Sequence, residues 1–230
     1  MENKTTKMIK ILRFSLILFL VGCNSTSGIT HKERQEIPRK DYDFTIVFGS
    51  CNDQDNPQPL WEPILDNEPD AFIWGGDNIY ADTPDMEKMK AMYDFQQNVE
   101  AYQKLVNTAV MLGTWDDHDF GKNNAGKEWE KKAESQQLFL DFMNVPQGDI
   151  RRAREGVYYA QDLIADGNTI KVILLDTRYF RDPINESRGG SILGDAQWKW
   201  LEKELNNSTA DYHIIMSSIQ VLSMQHRFEK

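Results

Sequence analysis

The sequence predicts an α/β domain, on three observations. Short apolar runs rich in strand formers alternate with stretches of helical periodicity from Phe44 onward. Each of the first three runs ends in a polar cluster: Ser50-Cys51-Asn52, then Gly76-Asp77-Asn78-Ile79-Tyr80, then Thr114-Trp115-Asp116-Asp117-His118-Asp119. Hydrophobic residues make up 40% of the 230, with six Trp and eleven Phe, which is enough to fill one sizeable core.

The elements follow in order. Phe44–Gly49 alternates as a strand does and runs directly into the first polar cluster. A proline-punctuated loop leads to a short helix near Leu60–Leu65, and Ala71–Trp74 is a second buried strand. Met89, Met92, Tyr93, Gln96 and Val99 recur at helical steps, predicting one long helix over Met86–Val106 whose Met and aromatic stripe is packing. Ala109–Leu112 is a third strand, ending at Gly113. Lys127–Met143 reads as a helix with Leu138, Phe139, Phe142 and Met143 inward. Gly156–Ala160 and Thr169–Leu175 read as paired strands turned by Asp166-Gly167-Asn168. Asp195 is placed to cap a helix carrying Trp198, Leu201 and Leu205 inward, and Tyr212–Met216 is the last strand.

The N-terminus reads differently. Lys4, Lys7, Lys10 and Arg13 precede the apolar run Phe14–Val21, followed by Leu20-Val21-Gly22-Cys23. A charged start, a short apolar stretch and a small-residue cleavage point make an export signal, too short for a membrane span. Leu-Val-Gly-Cys resembles the bacterial lipobox, which makes residues 1–22 a signal peptide and Cys23 the lipid-bearing first residue. Residues 23–42 are polar and aperiodic and read as a flexible tether, with the domain over 43–230. The expected location is an exported, membrane-anchored lipoprotein, whether periplasmic, in the outer membrane or at the cell surface. Lipidation of Cys23 leaves Cys51 without a disulfide partner, so its thiol is either packing or a ligand. The net charge of −10 argues against a nucleic-acid partner and suits a protein that holds cations.

The strand-end clusters carry the chemistry. Cys51 to Asp77 spans 26 residues and Asp77 to Asp117 spans 40, about one strand–helix unit each. Such units in a parallel sheet bring successive strand ends to one rim. Close carboxylates repel, so a cation belongs among Asp116, Asp117 and Asp119 of the third cluster. Thiolate, phenolate and carboxylate from Cys51, Tyr80, Asp77 and Asp117 suit a hard ion such as iron(III), and further oxygens suit calcium. Asp117, Asp119, Asn123 and Glu128 fit part of an EF-hand frame, but Gly121 and Lys122 stand where a ligand and a glycine are needed. No P-loop, nucleophile elbow or His-Glu-x-x-His exists. Paired acids for glycoside hydrolysis would leave Cys51 and Tyr80 unexplained.

On these motifs the chain resembles the alkaline phosphatase D (PhoD-like) family of metallophosphatases. Leu175-Asp176-Thr177-Arg178 and Ser217-Ser218-Ile219-Gln220 are similar to later stretches of that family. The resemblance implies a two-sheet α/β/β/α sandwich and hydrolysis of phosphomonoesters or phosphodiesters by a metal-activated hydroxide. It also implies iron, as Fe(III), and calcium as cofactors, with other divalent metals as substitutes. Carried over by position, Cys51 and Tyr80 hold the iron, Asp77 bridges metals, and Asp117 binds metal. His118 faces the scissile phosphate, while Asn52 and Asp116 lie behind the ligands or on the calcium side. Arg178 is open to two readings, a phosphate clamp or an ion pair to Asp176 or a neighbour. A late Gly-Asp-x-His segment of the family is not found before Lys230, so the sandwich is expected to be incomplete at the C-terminus, and neither His213 nor His226 replaces that segment. The rival reading is a non-catalytic surface lipoprotein that binds cations or a phosphorylated ligand.

Overall fold

The computed structural model describes residues 44–183 and 190–221. The expected signal peptide and tether, Cys23 and His226 lie outside the described residues. Two three-stranded sheets form the centre. In the first, β1 (Ile46–Gly49), β2 (Ala71–Gly75) and β3 (Val110–Thr114) run parallel in that order. In the second, β4 (Tyr159–Ala165) and β5 (Asn168–Leu174) form an antiparallel hairpin, and β6 (Tyr212–Met216) pairs parallel with β5.

The strand alternation builds the layers. Ala71, Ile73 and Leu112 of the first sheet meet Leu163, Val172 and Leu174 of the second in one apolar cluster. The opposite side chains, Phe72 and Trp74, enter a larger aromatic cluster. It includes residues of α1 (Trp61–Asp66), α2 (Met86–Gln97), α3 (Glu100–Thr108), α4 (Asp117–Phe120) and α5 (Lys132–Phe142). On the far side Ile173 of β5 packs with Leu201 and Trp200 of α6 (Gly194–Asn206). Helices, sheet, sheet and helix therefore stack as the α/β/β/α sandwich expected, with a period of two sending neighbouring strand residues into different layers.

Several elements depart from the sequence reading. The long helix is broken: Asn98 ends α2, its side chain donating to the Asp94 carbonyl, and extended Val99 starts α3. The helix foreseen from Lys127 begins only at Lys132. The strand placed at Gly156–Ala160 lies at Tyr159–Ala165, because Asp166 and Gly167, both at positive φ, make a two-residue turn and Asn168 already belongs to β5. Asp195 is not a cap: Leu193 occupies that position and no side chain caps the helix. Trp198 and Leu205 face solvent, leaving Leu201 as the buried contact of that trio. No helix among the described residues is long and apolar enough to cross a membrane.

Candidate metal centre

Parallel register brings three strand ends together. Gly49 lies opposite Trp74 and Gly75 opposite Thr114, so Cys51, Asp77 and Asp117 follow their strands onto one rim. The ladder continues just past the strands, where Cys51 donates to the Gly76 carbonyl and Asn52 to that of Asp77. Cys51 and Asp77 are both in the left-handed region, with φ of 58° and 51°. Such conformations cost a non-glycine residue about 1 kcal/mol or more and concentrate at functional sites. Gly76 is required between them: at φ +108°, a Cβ there would lie 2.6 Å from Asp116 Cβ and 3.0 Å from Ser218 Cβ.

Asp77 is the hub. Its Oδ2 accepts from Cys51 Sγ at 3.6 Å and from Tyr80 Oη at 3.4 Å, and its Oδ1 accepts from the His118 backbone at 3.4 Å. Ligand atoms of Asp77, Asp117 and His118 all lie within 4.8 Å of one another. Asp117 Oδ2 is held by the Asn124 backbone N–H at 2.6 Å. His118 Nδ1 lies 2.6 Å from Asp82 Oδ2, and the ring stacks on Tyr80 with centroids 4.2 Å apart.

The electrostatics lean one way. Burial, then the fields of Asp116 and Asp117, push the Asp77 carboxyl up to about 6. Burial and the Asp77 charge raise the Cys51 thiol and the Tyr80 phenol. Burial works against a charged His118, but the Asp82 hydrogen bond and the nearby carboxylates prevail and raise its pKa. Protons thus hold together donors that a multivalent cation would bind after displacing them. The donor set, hard oxygens with a thiol and a phenol, fits such an ion.

The remaining predicted residues sit behind this group. Arg178 is buried, with Nε 2.6 Å from Asp116 Oδ1 and its guanidinium 3.9 Å from Asp117 Oδ1. The ion-pair alternative is therefore the observed one, with Asp116 as partner. Asp176 instead accepts backbone N–H groups of Arg178 and Tyr179. Asn52 turns its amide inward, donating to the Asn78 carbonyl and to Gln96 Oε1 at 2.8 Å. His213 is exposed and pairs with Ser208. Sequence reasoning passed over Asp82, Gln96 and Asn124. Asp82 was the one with a readable signal, an acid two residues beyond Tyr80 in the same strand-end run.

The polar rim stands on a two-sheet α/β/β/α sandwich. The chain belongs to the PhoD-like phosphatase family, whose model matches residues 46–230. It is similar to alkaline phosphatase D of Bacillus subtilis (strain 168), 28% identical over an alignment of 224 positions covering 76% of this chain and 37% of that protein. A solved structure described as the structure of PhoD shares the fold, with a TM-score of 0.61 and 19% identity over 76% of this chain and 41% of that one. The chain therefore spans about two-fifths of the length of the relatives it matches.

Proposed function

We propose that this chain carries a metal-dependent phosphoesterase centre that hydrolyses phosphomonoesters or phosphodiesters. One observation carries the reading: a single carboxylate oxygen of Asp77 gathers the Cys51 thiol and the Tyr80 phenol, with Asp117 and His118 alongside. Cys51, Tyr80, Asp77 and Asp117 would hold the metals, with iron(III) favoured by thiolate and phenolate and calcium by carboxylate oxygens. Bound metal supplies Lewis acidity that activates water and offsets phosphoryl charge.

The chain's own residues do the rest. Asp82 takes the Nδ1 side of His118, which leaves Nε2 to donate a proton to the departing ester oxygen. Arg178 neutralises Asp116 behind the ligands and keeps that carboxylate from competing for the substrate's place. The Asn124 backbone N–H and the Gln96 side-chain carbonyl fix Asp117 and Asn52 by hydrogen bonds. The export signal and Leu20-Val21-Gly22-Cys23 support a lipid-anchored protein acting on phosphate esters outside the cytoplasm.

The test is hydrolysis of p-nitrophenyl phosphate and bis(p-nitrophenyl) phosphate by metal-stripped protein resupplied with iron and calcium. Activity that returns with metal and disappears in Asp77→Asn is expected. Turnover that persists in chelator, or that survives Asp77→Asn, would overturn the reading.

A further inference from the structure

A cavity of about 250 Å³ opens beside Cys51, between the end of β1 and the loop that leads into α1. Its apolar lining comes from Pro57, Pro59, Leu60 and Ile64 with the edge of Trp61, and Phe72 and Trp74 are buried beneath. Gly49 faces it without a side chain; a Cβ there would sit 3.4 Å from Phe72 Cζ. Gly49 lines the cavity, so a larger side chain there would take up part of it. The loop is braced by its own bonds: Asn56 Nδ2 donates to Asp53 Oδ2 at 2.6 Å, and Trp61 Nε1 donates to Gln58 Oε1 at 2.5 Å. The cavity borders the candidate metal centre at Cys51, which lines it and whose Sγ lies 3.6 Å from Asp77 Oδ2.

Its chemistry excludes as well as admits. No Lys, Arg or His lines it among the described residues, and its one charged side chain is Asp53. A second phosphate or a carboxylate would find no cationic partner there. An apolar cavity of about 150 Å³ is enough to bind benzene, so the volume here admits a ring with substituents or two fused rings.

We propose that this cavity receives the organic group of the ester, selecting aryl or compact apolar esters over small or anionic ones. The inference rests on the phosphoesterase reading above, with Gly49 as the residue that sets the size of the group.

Phosphonates that cannot be hydrolysed test the cavity apart from the chemistry. In the metal-supplied full chain, phenylphosphonate and 1-naphthylphosphonate should bind about tenfold or more tightly than methylphosphonate, from the apolar area removed from water. Affinity is read by calorimetry and by the emission of Trp61 and Trp74. Gly49→Val, which suits a strand, should reduce the aryl preference to about twofold or less by filling part of the cavity. Ile64→Ala, in α1, should shift preference toward the naphthyl compound. Equal binding of methyl and aryl phosphonates, or a preference untouched by both substitutions, overturns the proposal. Selective aryl binding by a protein that hydrolyses no ester leaves the cavity assignment standing and removes the catalytic one.

Discussion

Asp82 grips His118: its Oδ2 lies 2.6 Å from the ring Nδ1, although the two residues are 36 positions apart. Asp82 in turn takes the Asn123 backbone N–H on Oδ1, so the carboxylate is fixed from two sides. Such a pair sets the tautomer and aim of an imidazole. His118→Asn should lower kcat by about a hundredfold or more on alkyl esters, and less on p-nitrophenyl esters, whose leaving oxygen needs little protonation. Asp82→Asn should follow the same pattern at about a tenth of the size, with metal content unchanged. Equal losses on both ester types would make His118 a metal ligand or a phosphate-positioning donor instead.

The metal-free chain should lose stability as pH rises. Asp77 is raised from its ordinary value to about 6, by burial first and by Asp116 and Asp117 next, so the folded state holds a proton that the unfolded chain has released. That contribution is complete below the unfolded value and disappears as pH climbs through about 6. The upward shift of His118 has the same sign. Thermal melts in chelator should show Tm falling between pH 5 and pH 7.5, with a shallower fall in Asp77→Asn. A Tm that rises over this range would contradict the charge balance described here.

Cys51 stores backbone strain at φ 58°. Cys51→Gly relieves it, so the metal-free variant should be about 1 kcal/mol more stable than the parent, while iron retention falls by tenfold or more. Cys51→Ala should lose iron without the gain in stability. Denaturant melts and metal analysis on the same samples check both, and unchanged iron in either variant removes Cys51 from the ligand set.

Arg178 is the buried counter-charge of Asp116. Arg178→Met leaves that carboxylate without its partner and should cost about 3–5 kcal/mol near neutral pH. Burial already raises the Asp116 pKa and loss of the guanidinium raises it further, so the penalty should shrink at pH 5, where the carboxyl takes up a proton. Denaturation at the two pH values checks the difference.

Much of the fold was legible because its signals are local. The apolar runs ending in polar clusters marked β1, β2 and β3, and parallel pairing then required Cys51, Asp77 and Asp117 to share a rim. What depended on partners across space was not legible. The heptad-like stripe of Met86–Val106 continues through Asn98, and only the Asn98 bonds back to Asp94 reveal the break. Trp198 looked inward by periodicity, but the outer face of the second sheet is served by Leu201 and Trp200. Arg178 read as a phosphate clamp or as an ion pair to Asp176 or a neighbour, and its observed partner, Asp116, lies 62 residues away.

Asp116, Asp117, His118 and Asp119 occupy consecutive positions yet point to four different neighbours. Asp116 meets Arg178, Asp117 joins the metal group, His118 reaches Asp82, and Asp119 is buried against the backbone N–H groups of Asn78 and Asp116. A helical turn rotates each residue by about 100° from the last, which separates Asp117, His118 and Asp119 within α4, while Asp116 is aimed by its extended backbone as the N-cap. The four letters therefore behave as a reading frame. Exchanging one residue harms one task, whereas inserting or deleting a single residue beside them reassigns every task at once.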